Sequence, residues 1–309
     1  MQERILSVVI PVRNQARTVS QLLAALGRLV RPPGWQLEII AVYTESTDNT
    51  LQVLRESGVH VITCDTIGPG AARNAGARMA RGELLYFIDA DACPIGGDFL
   101  VRAIETAERL GNFGVLGGAI ELPANQAGNP VAVADHWVCW FNWSAQRPAG
   151  ESTLFQPSVS IVVPRAVFEA MGGFDTRLRV LEDFELQQRM LARGLRIHYE
   201  PTLAVTHEAR SSLWRSWRHG WYWGGPFRSA YLAVIPHRGF TFPVGHPCFC
   251  LNIPVMFLRR LRLVWRSPPP ASRCSSWCCL PFIAIAILIW TLGVVWGPDQ
   301  PADSQPAPV

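Results

Sequence analysis

The sequence predicts an α/β fold, a parallel sheet flanked by helices, followed by a C-terminal membrane-associated segment with one transmembrane helix. Three observations carry that expectation. Short β-branched runs alternate with helical patterns through the first third of the chain, as strand–helix–strand units do. Beyond Arg238 the composition turns apolar, Pro-rich and short of acids. Within that part, Cys274 to Pro298 carries no charge at all.

Leu6 to Val12 reads as the first strand, and Leu22, Leu23, Leu26, Leu29 and Val30 recur at helical spacing behind it. Glu38 to Tyr43 is the second strand. Thr47 to Ser57 opens with Thr, Asp and Asn, the residues that cap helix starts. His60 to Thr63 and Leu84 to Ile88 complete four strand candidates. In open sheets of this kind ligands bind beyond the carboxyl ends of the strands, so function is expected there. From Phe113 the periodicity loosens, leaving a strand at Val159 to Val163, a helix from Glu182 to Arg193 and an aromatic stretch from Trp214 to Trp223.

Cys279 to Trp296 gives enough mostly apolar residues for about 27 Å of helix, sufficient to cross hydrocarbon. Arg259, Arg260, Arg262, Arg266 and Arg273 precede it, whereas Asp299 and Asp303 follow it, which predicts a single crossing with the preceding part of the chain in the cytoplasm. Phe240 to Leu258 is also uncharged, but Pro243, Pro247 and Pro254 suit an interfacial or re-entrant segment better than a second span. The start from Met1 to Arg4 runs into a strand without a signal region, in keeping with the same orientation. The expected division is a catalytic domain over 1–238, an interfacial or linker segment over 239–273, a transmembrane helix over 274–298 and a tail over 299–309.

The 309 residues carry a formal charge of +4, and all 28 basic residues are Arg. Arg suits phosphate, but genome composition produces the same bias. No basic run interleaved with aromatics argues for nucleic acid, and none is expected as a partner. The eight Cys lack paired C-x-x-C spacing, so they read as reduced packing thiols rather than a zinc site.

The strongest local signal is the apolar strand Leu84 to Ile88 ending in Asp89-Ala90-Asp91. Two carboxylates there suit Mg²⁺ or Mn²⁺, although an isolated D-x-D is equally met by a solvated acidic turn. Gly68 to Gly76, with Arg73 and Asn74 among small residues at a helix start, permits close approach of an anionic ligand. It lacks the features of a P-loop or dinucleotide fingerprint. Glu182-Asp183 opens an amphipathic helix, where the helix dipole alone justifies acids and where a carboxylate base is also well placed.

Together, Ser7 to Asn14 (SVVIPVRN), Ser46 to Thr50 (STDNT), Gly70 to Gly76 (GAARNAG), Phe87 to Asp91 (FIDAD) and Glu182-Asp183 resemble the family-2 glycosyltransferases in order and spacing. The resemblance covers about Leu6 to His207 and implies a GT-A fold and inverting transfer from a nucleotide-diphosphate sugar. It implies Pro11, Asn14, Arg73 and Asn74 near the nucleotide, Asp89 at the ribose or metal, Asp91 on the metal and Asp183 as base beside Glu182. His207, after a candidate strand, is a further metal ligand or a packed histidine. Gly172-Gly173-Phe174-Asp175 resembles the turn that precedes the base.

Two departures stand out. Tyr43-Thr44-Glu45 replaces the acid pair that usually ends the second strand, leaving Glu45, or Tyr43 by stacking, to meet the nucleobase. No Q-x-x-R-W signature of processive synthases is present, so single transfer is expected. A lipid-linked or glycolipid acceptor follows from the membrane segment, with Trp217, Trp221, Tyr222 and Trp223 lining its approach or forming an interfacial belt. The alternative is a catalytically inactive, membrane-tethered protein that binds nucleotide sugars or acts as a scaffold. A nucleotidyltransferase would need a basic triphosphate loop that Val12-Arg13-Asn14-Gln15 does not supply.

Overall fold

The computed structural model describes residues 4–66, 68–234, 241–244 and 246–298; the expected boundary at Arg238 and the acidic tail lie outside the described residues. Two compact units form. The first takes the described residues up to Ala119 together with Arg147–His207; the second takes Ile120–Gln146 and the described residues from Glu208 onward.

In the first unit, β1 (Arg4–Val12), α1 (Ala16–Gly27), β2 (Trp35–Tyr43), α2 (Thr50–Glu56), β3 (His60–Thr63), α3 (Pro69–Met79) and β4 (Leu84–Ile88) follow the expected alternation. Then come β5 (Ala92–Pro94), α4 (Phe99–Leu110), β6 (Val115–Glu121, whose last two residues belong to the second unit), β7 (Gly150–Glu151), β8 (Ser160–Pro164), α6 (Arg165–Ala170), α7 (Glu182–Ala192) and β9 (Ile197–His207). The helix between β6 and β7, α5 (Pro130–Trp140), lies in the second unit.

The sheet runs in the order β3-β2-β1-β4-β8-β6-β9-β5, with β7 beside β9. The parallel pairing expected of the first four strands is present, and the later strands add antiparallel neighbours. β1 pairs in parallel with β2 and β4, and β2 with β3, but β4–β8, β6–β8 and β5–β9 are antiparallel. Parallel neighbours need a crossover helix, and only the first four strands have one between each pair. Strands buried on both faces read as continuous apolar runs, as the fully buried Leu84–Ile88 does.

Close packing of α3 on the sheet depends on Gly76, where an added Cβ would lie 2.4 Å from a Val9 methyl and 2.9 Å from a Val42 methyl. Helix α1 stops at Gly27, so the helical spacing read through Val30 overruns it: Pro32 and Pro33 lie just beyond, and Val30 is exposed.

The second unit joins α5 to α8 (Leu213–Val234), α9 (Asn252–Arg266) and α10 (Ser276–Trp296). Cys279, Ile283 and Ile287 form one stripe of α10, buried with Ala132, Val133 and Trp137 of α5 and Val264 of α9. Farther along α10, Gly293 lies so close to α8 that a Cβ there would fall 2.7 Å from the carbonyls of Gly220 and Trp221. Gly220 and Gly224 of α8, and Gly293 of α10 with Gly297 just after it, share the four-residue small-residue spacing that lets backbones approach. Arg228 closes the end of α10 by donating to the carbonyls of Val294 and Val295 at 2.6 and 2.9 Å. Among the described residues α10 is the one helix long and apolar enough to cross a membrane.

Within the expected interfacial segment, a single 3-10 turn (Phe249–Leu251) leads into α9. Pro254 falls in the first turn of α9, where no intrahelical donor is lost. Asn252 is buried and ties this entry together, accepting from Thr241 and Phe242 N–H and donating to the Phe242 and Phe249 carbonyls.

Candidate functional site

The loops after β1 and β2 are sewn to each other. Asn14 adopts a left-handed backbone (φ +53°), a conformation Asn tolerates better than most residues. Its N–H donates to Ser46 Oγ at 2.9 Å, and its Oδ1 accepts from Thr47 N–H at 2.7 Å. Asp48 accepts from Ala16 N–H at 3.1 Å and from Thr50 N–H at 3.0 Å, and Gln15 N–H donates to Thr50 Oγ1 at 2.8 Å. The SVVIPVRN and STDNT motifs are thus two halves of one hydrogen-bonded rim. Pro11 sits in β1 opposite Val42. Tyr43 accepts from Ser46 N–H through its hydroxyl at 3.0 Å, and Glu45 is exposed, its carbonyl 3.4 Å from Arg13 Nε.

Arg73 lies at the centre. It is buried, and its guanidinium donates to Glu182 Oε1 at 2.7 Å and to Asp89 Oδ1 at 2.6 Å, joining α3, the end of β4 and the start of α7. A planar fork reaches two carboxylates at once, which a lysine in this place could not match. Asn74, next on α3, is committed to the turn before α7: it donates to the Phe174 carbonyl at 2.8 Å and accepts from Phe174 N–H at 2.9 Å. Gly172 and Gly173 both take φ +75° in that turn, and a Cβ on Gly173 would strike Asn74 Oδ1 at 2.6 Å.

Helix α7 starts from Leu181, a second left-handed non-glycine residue (φ +60°). Such a conformation costs of order 1–3 kcal/mol and persists where surrounding structure enforces it. Here it turns Glu182 and Asp183 together toward the sheet end. Asp183 accepts from Ser158 N–H at 2.9 Å and Phe184 N–H at 2.7 Å. The loop carrying Ser158 is held by a reciprocal buried pair: Gln156 N–H to Gln187 Oε1 and Gln187 Nε2 to the Gln156 carbonyl, both 2.7 Å. Burial, then the neighbouring Asp183, pushes Glu182 up to about 7 despite Arg73. Burial also raises Asp183, opposed by its backbone donors and by Arg73. One guanidinium among three carboxylates leaves the cluster short of positive charge, so it holds a proton more tightly than isolated acids do.

Asp91 and His207 meet through strand register. Ala92 of β5 is the partner of His207 on β9, which brings His207 Nε2 to 3.5 Å from Asp91 Oδ1. One ligand atom each of Asp89, Asp91 and His207 lie within 4.8 Å of one another, and all three side chains are partly or largely buried. Two hard carboxylate oxygens and an imidazole nitrogen on one partly open site fit Mn²⁺ or Mg²⁺ with positions left for ligand oxygens.

Asp89, Asp91, Glu182 and Asp183 converge here with Arg73 and His207, whereas Glu45 lies apart, exposed on the rim. Three features of the site lie outside sequence reasoning: the Arg73 bridge, the Ser158 donor and the Gln156–Gln187 lock. The GAARNAG and Glu-Asp motifs carry two of the partners, but their pairing spans more than a hundred positions, and nothing local marks Ser158.

A solved structure similar to this chain is the mannosyltransferase PcManGT from Pyrobaculum calidifontis in complex with GDP-Man and Mn²⁺, with a TM-score of 0.60 at 16% identity over 96% of this chain and 88% of that one. The fold is accordingly of the GT-A type, a central sheet flanked by helices. Residues 7–133 match the model of Glycosyl transferase family 2. A pre-mycofactocin glycosyltransferase of Mycobacterium tuberculosis is 29% identical over 273 residues, 78% of this chain and 50% of the relative. A dolichyl N-acetyl-alpha-D-glucosaminyl phosphate 3-beta-D-2,3-diacetamido-2,3-dideoxy-beta-D-glucuronosyltransferase of Methanococcus voltae is 22% identical over 264 residues, 80% of each chain. The likeness to glycosyl transferase family 2 covers residues 7–133, and the chain spans about half the length of the Mycobacterium relative.

Proposed function

We propose that this chain transfers a sugar from a nucleoside-diphosphate donor to a hydroxyl of a membrane-bound acceptor, once per encounter and with inversion. The observation that carries the reading is the Arg73 bridge, which ties the Asp89-x-Asp91 corner to the Glu182-Asp183 helix start. A donor-side acid pair and an acceptor-side base are then fixed relative to each other, as single displacement requires.

In this reading Asp183 accepts the proton of the acceptor hydroxyl as that oxygen attacks the anomeric carbon and the bond to the diphosphate breaks. Ser158 and Phe184 N–H aim its carboxylate. Glu182 anchors Arg73, whose charge also faces the diphosphate side. Asp89, Asp91 and His207 would hold Mn²⁺ or Mg²⁺, which supplies charge neutralisation to the departing diphosphate. The rim of Pro11, Asn14 and Glu45 borders the nucleoside, while Asn74 shapes the turn beside the acceptor.

A membrane-bound acceptor is supported by α10 and by the Methanococcus voltae relative, whose name specifies a dolichyl phosphate-linked sugar. We further propose that residues 1–238 carry the chemistry on the cytoplasmic face, with 239–273 at the interface and 274–298 crossing the bilayer. Calorimetric titration of the full chain with a panel of nucleotide sugars, with and without Mn²⁺, tests the donor half. One donor should bind tightly only with the ion, and Asp91→Asn should weaken it about tenfold or more; equal binding without metal and in that variant contradicts the assignment. Nuclear magnetic resonance of the product anomer reads the stereochemistry, with retention ruling out single displacement.

A further inference from the structure

Helix α9 shows solvent a surface that mixes large apolar side chains with arginines. Its exposed residues interleave Val255, Leu258, Leu263 and Trp265 with Arg259, Arg262 and Arg266. Leu258 is 62% exposed, the largest value for any large aliphatic residue among the described ones. The aromatic surface continues onto the start of α10, where Trp277, 73% exposed, meets Trp265 edge-on at 5.4 Å. Trp265 in turn stacks on the buried Trp137 at 6.2 Å, so the indoles stand on a rigid base.

The charge around this surface has one sign. No Asp or Glu occurs between Ala209 and Pro298, while Arg259, Arg260, Arg262, Arg266 and Arg273 cluster within and just after α9. Arg260 turns inward, donating to the Val138 carbonyl at 3.0 Å and lying 4.4 Å over the Trp290 ring. The other four are exposed. Exposed arginines suit water, but the large apolar side chains interleaved with them do not, and no acid of this stretch of chain balances their charge. They match a bilayer interface, where stems and indoles enter the headgroup layer and guanidinium groups meet phosphate.

We propose that α9 lies in the plane of an anionic bilayer and, with Trp277 at the start of α10, binds its phospholipid headgroups. Val255, Leu258, Leu263, Trp265 and Trp277 enter the acyl boundary, and Arg259, Arg262, Arg266 and Arg273 contact the phosphates. The inference rests on the membrane reading of α10 but goes beyond it, because a crossing helix by itself is indifferent to headgroup charge.

Hydrogen–deuterium exchange of the full chain reconstituted into vesicles tests it, comparing pure phosphatidylcholine with the same lipid containing phosphatidylglycerol. Amides of residues 252–266 should exchange at least about fivefold more slowly in the anionic vesicles, with the difference lost in high salt as screening predicts. The triple variant Arg259→Gln/Arg262→Gln/Arg266→Gln should abolish the difference, and Leu258→Asn/Leu263→Asn should reduce it while keeping the salt dependence. Equal exchange in both vesicle types overturns the proposal while leaving α10 in the membrane. Protection by inorganic phosphate in neutral vesicles to the same extent overturns it in favour of a soluble anion. Failure of the chain to enter either vesicle overturns both this proposal and the membrane reading.

Discussion

Glu182 and Asp183 share one buried corner with a single guanidinium, and their proton affinities are linked. Asp183 must be ionised to take a proton from an acceptor hydroxyl, and its pKa is raised, so kcat/KM falls as pH drops through a midpoint above the usual aspartate value of about 3.9. Ionised Asp183 in turn opposes ionisation of Glu182. Asp183→Asn removes that charge and should move the carboxyl titration of Glu182, followed by nuclear magnetic resonance, down by about one pH unit. A titration that stays in place or moves up would disconnect the two acids. At this scale the sequence was most informative about residue types: Asp89, Asp91, Glu182, Asp183 and His207 were legible because carboxylates ending a strand or opening a helix are locally marked. Arg73 was legible as a cation but not as the bridge, since its partners are set by packing. Asn74 and Asn14, read as near the nucleotide, are tied in the structure to the Phe174 turn and the Ser46–Thr47 loop.

Among the elements, the seam between α3 and the sheet places Arg73, and Gly76 is its closest point. Gly76→Ala forces a methyl into the Val9 and Val42 side chains and should destabilise the protein by about 1–3 kcal/mol, read as a lower denaturation midpoint. Gly27→Ala, at the end of α1 with nothing within 4 Å of the added carbon, serves as the control and should be neutral or mildly stabilising. Equal losses at both positions would detach the effect from the seam. The strands β1 to β4 were legible because each is an apolar run separated from the next by a helix. Of the antiparallel half, β8 was legible at Val159 to Val163 and the strand end that delivers His207 was expected, but their pairing and β6 were not, because these strands find partners across long stretches of chain and β9 carries Pro201 and alternating polar residues. His207 nevertheless depends on that half: its place beside Asp91 is a consequence of the β5–β9 register.

For the whole molecule, the chain divides into a sheet-bearing unit and a helical unit. The helical unit draws Ile120–Gln146 from the middle of the chain into company with the C-terminal helices, an association no linear boundary reveals. Its apolar α10 and acid-free surroundings were legible from composition; the glycine seam with α8 was not, because it needs both helices at once. If α10 crosses once with the sheet in the cytoplasm, a reporter fused after Val309 should read as non-cytoplasmic, and one inserted in the exposed Gly97–Asp98 turn as cytoplasmic. Reporters on the same side would show that α10 lies along the membrane or within the protein. We infer that Asp183 deprotonates the acceptor while the donor is held elsewhere in the site. This is tested most directly by nucleoside-diphosphate release from the full chain in native-like membranes with its preferred nucleotide sugar and Mn²⁺, comparing wild type with Asp183→Asn. The variant should bind donor within about twofold of wild type and lose acceptor-dependent release by about 10²-fold or more; undiminished release from Asp183→Asn would contradict the account.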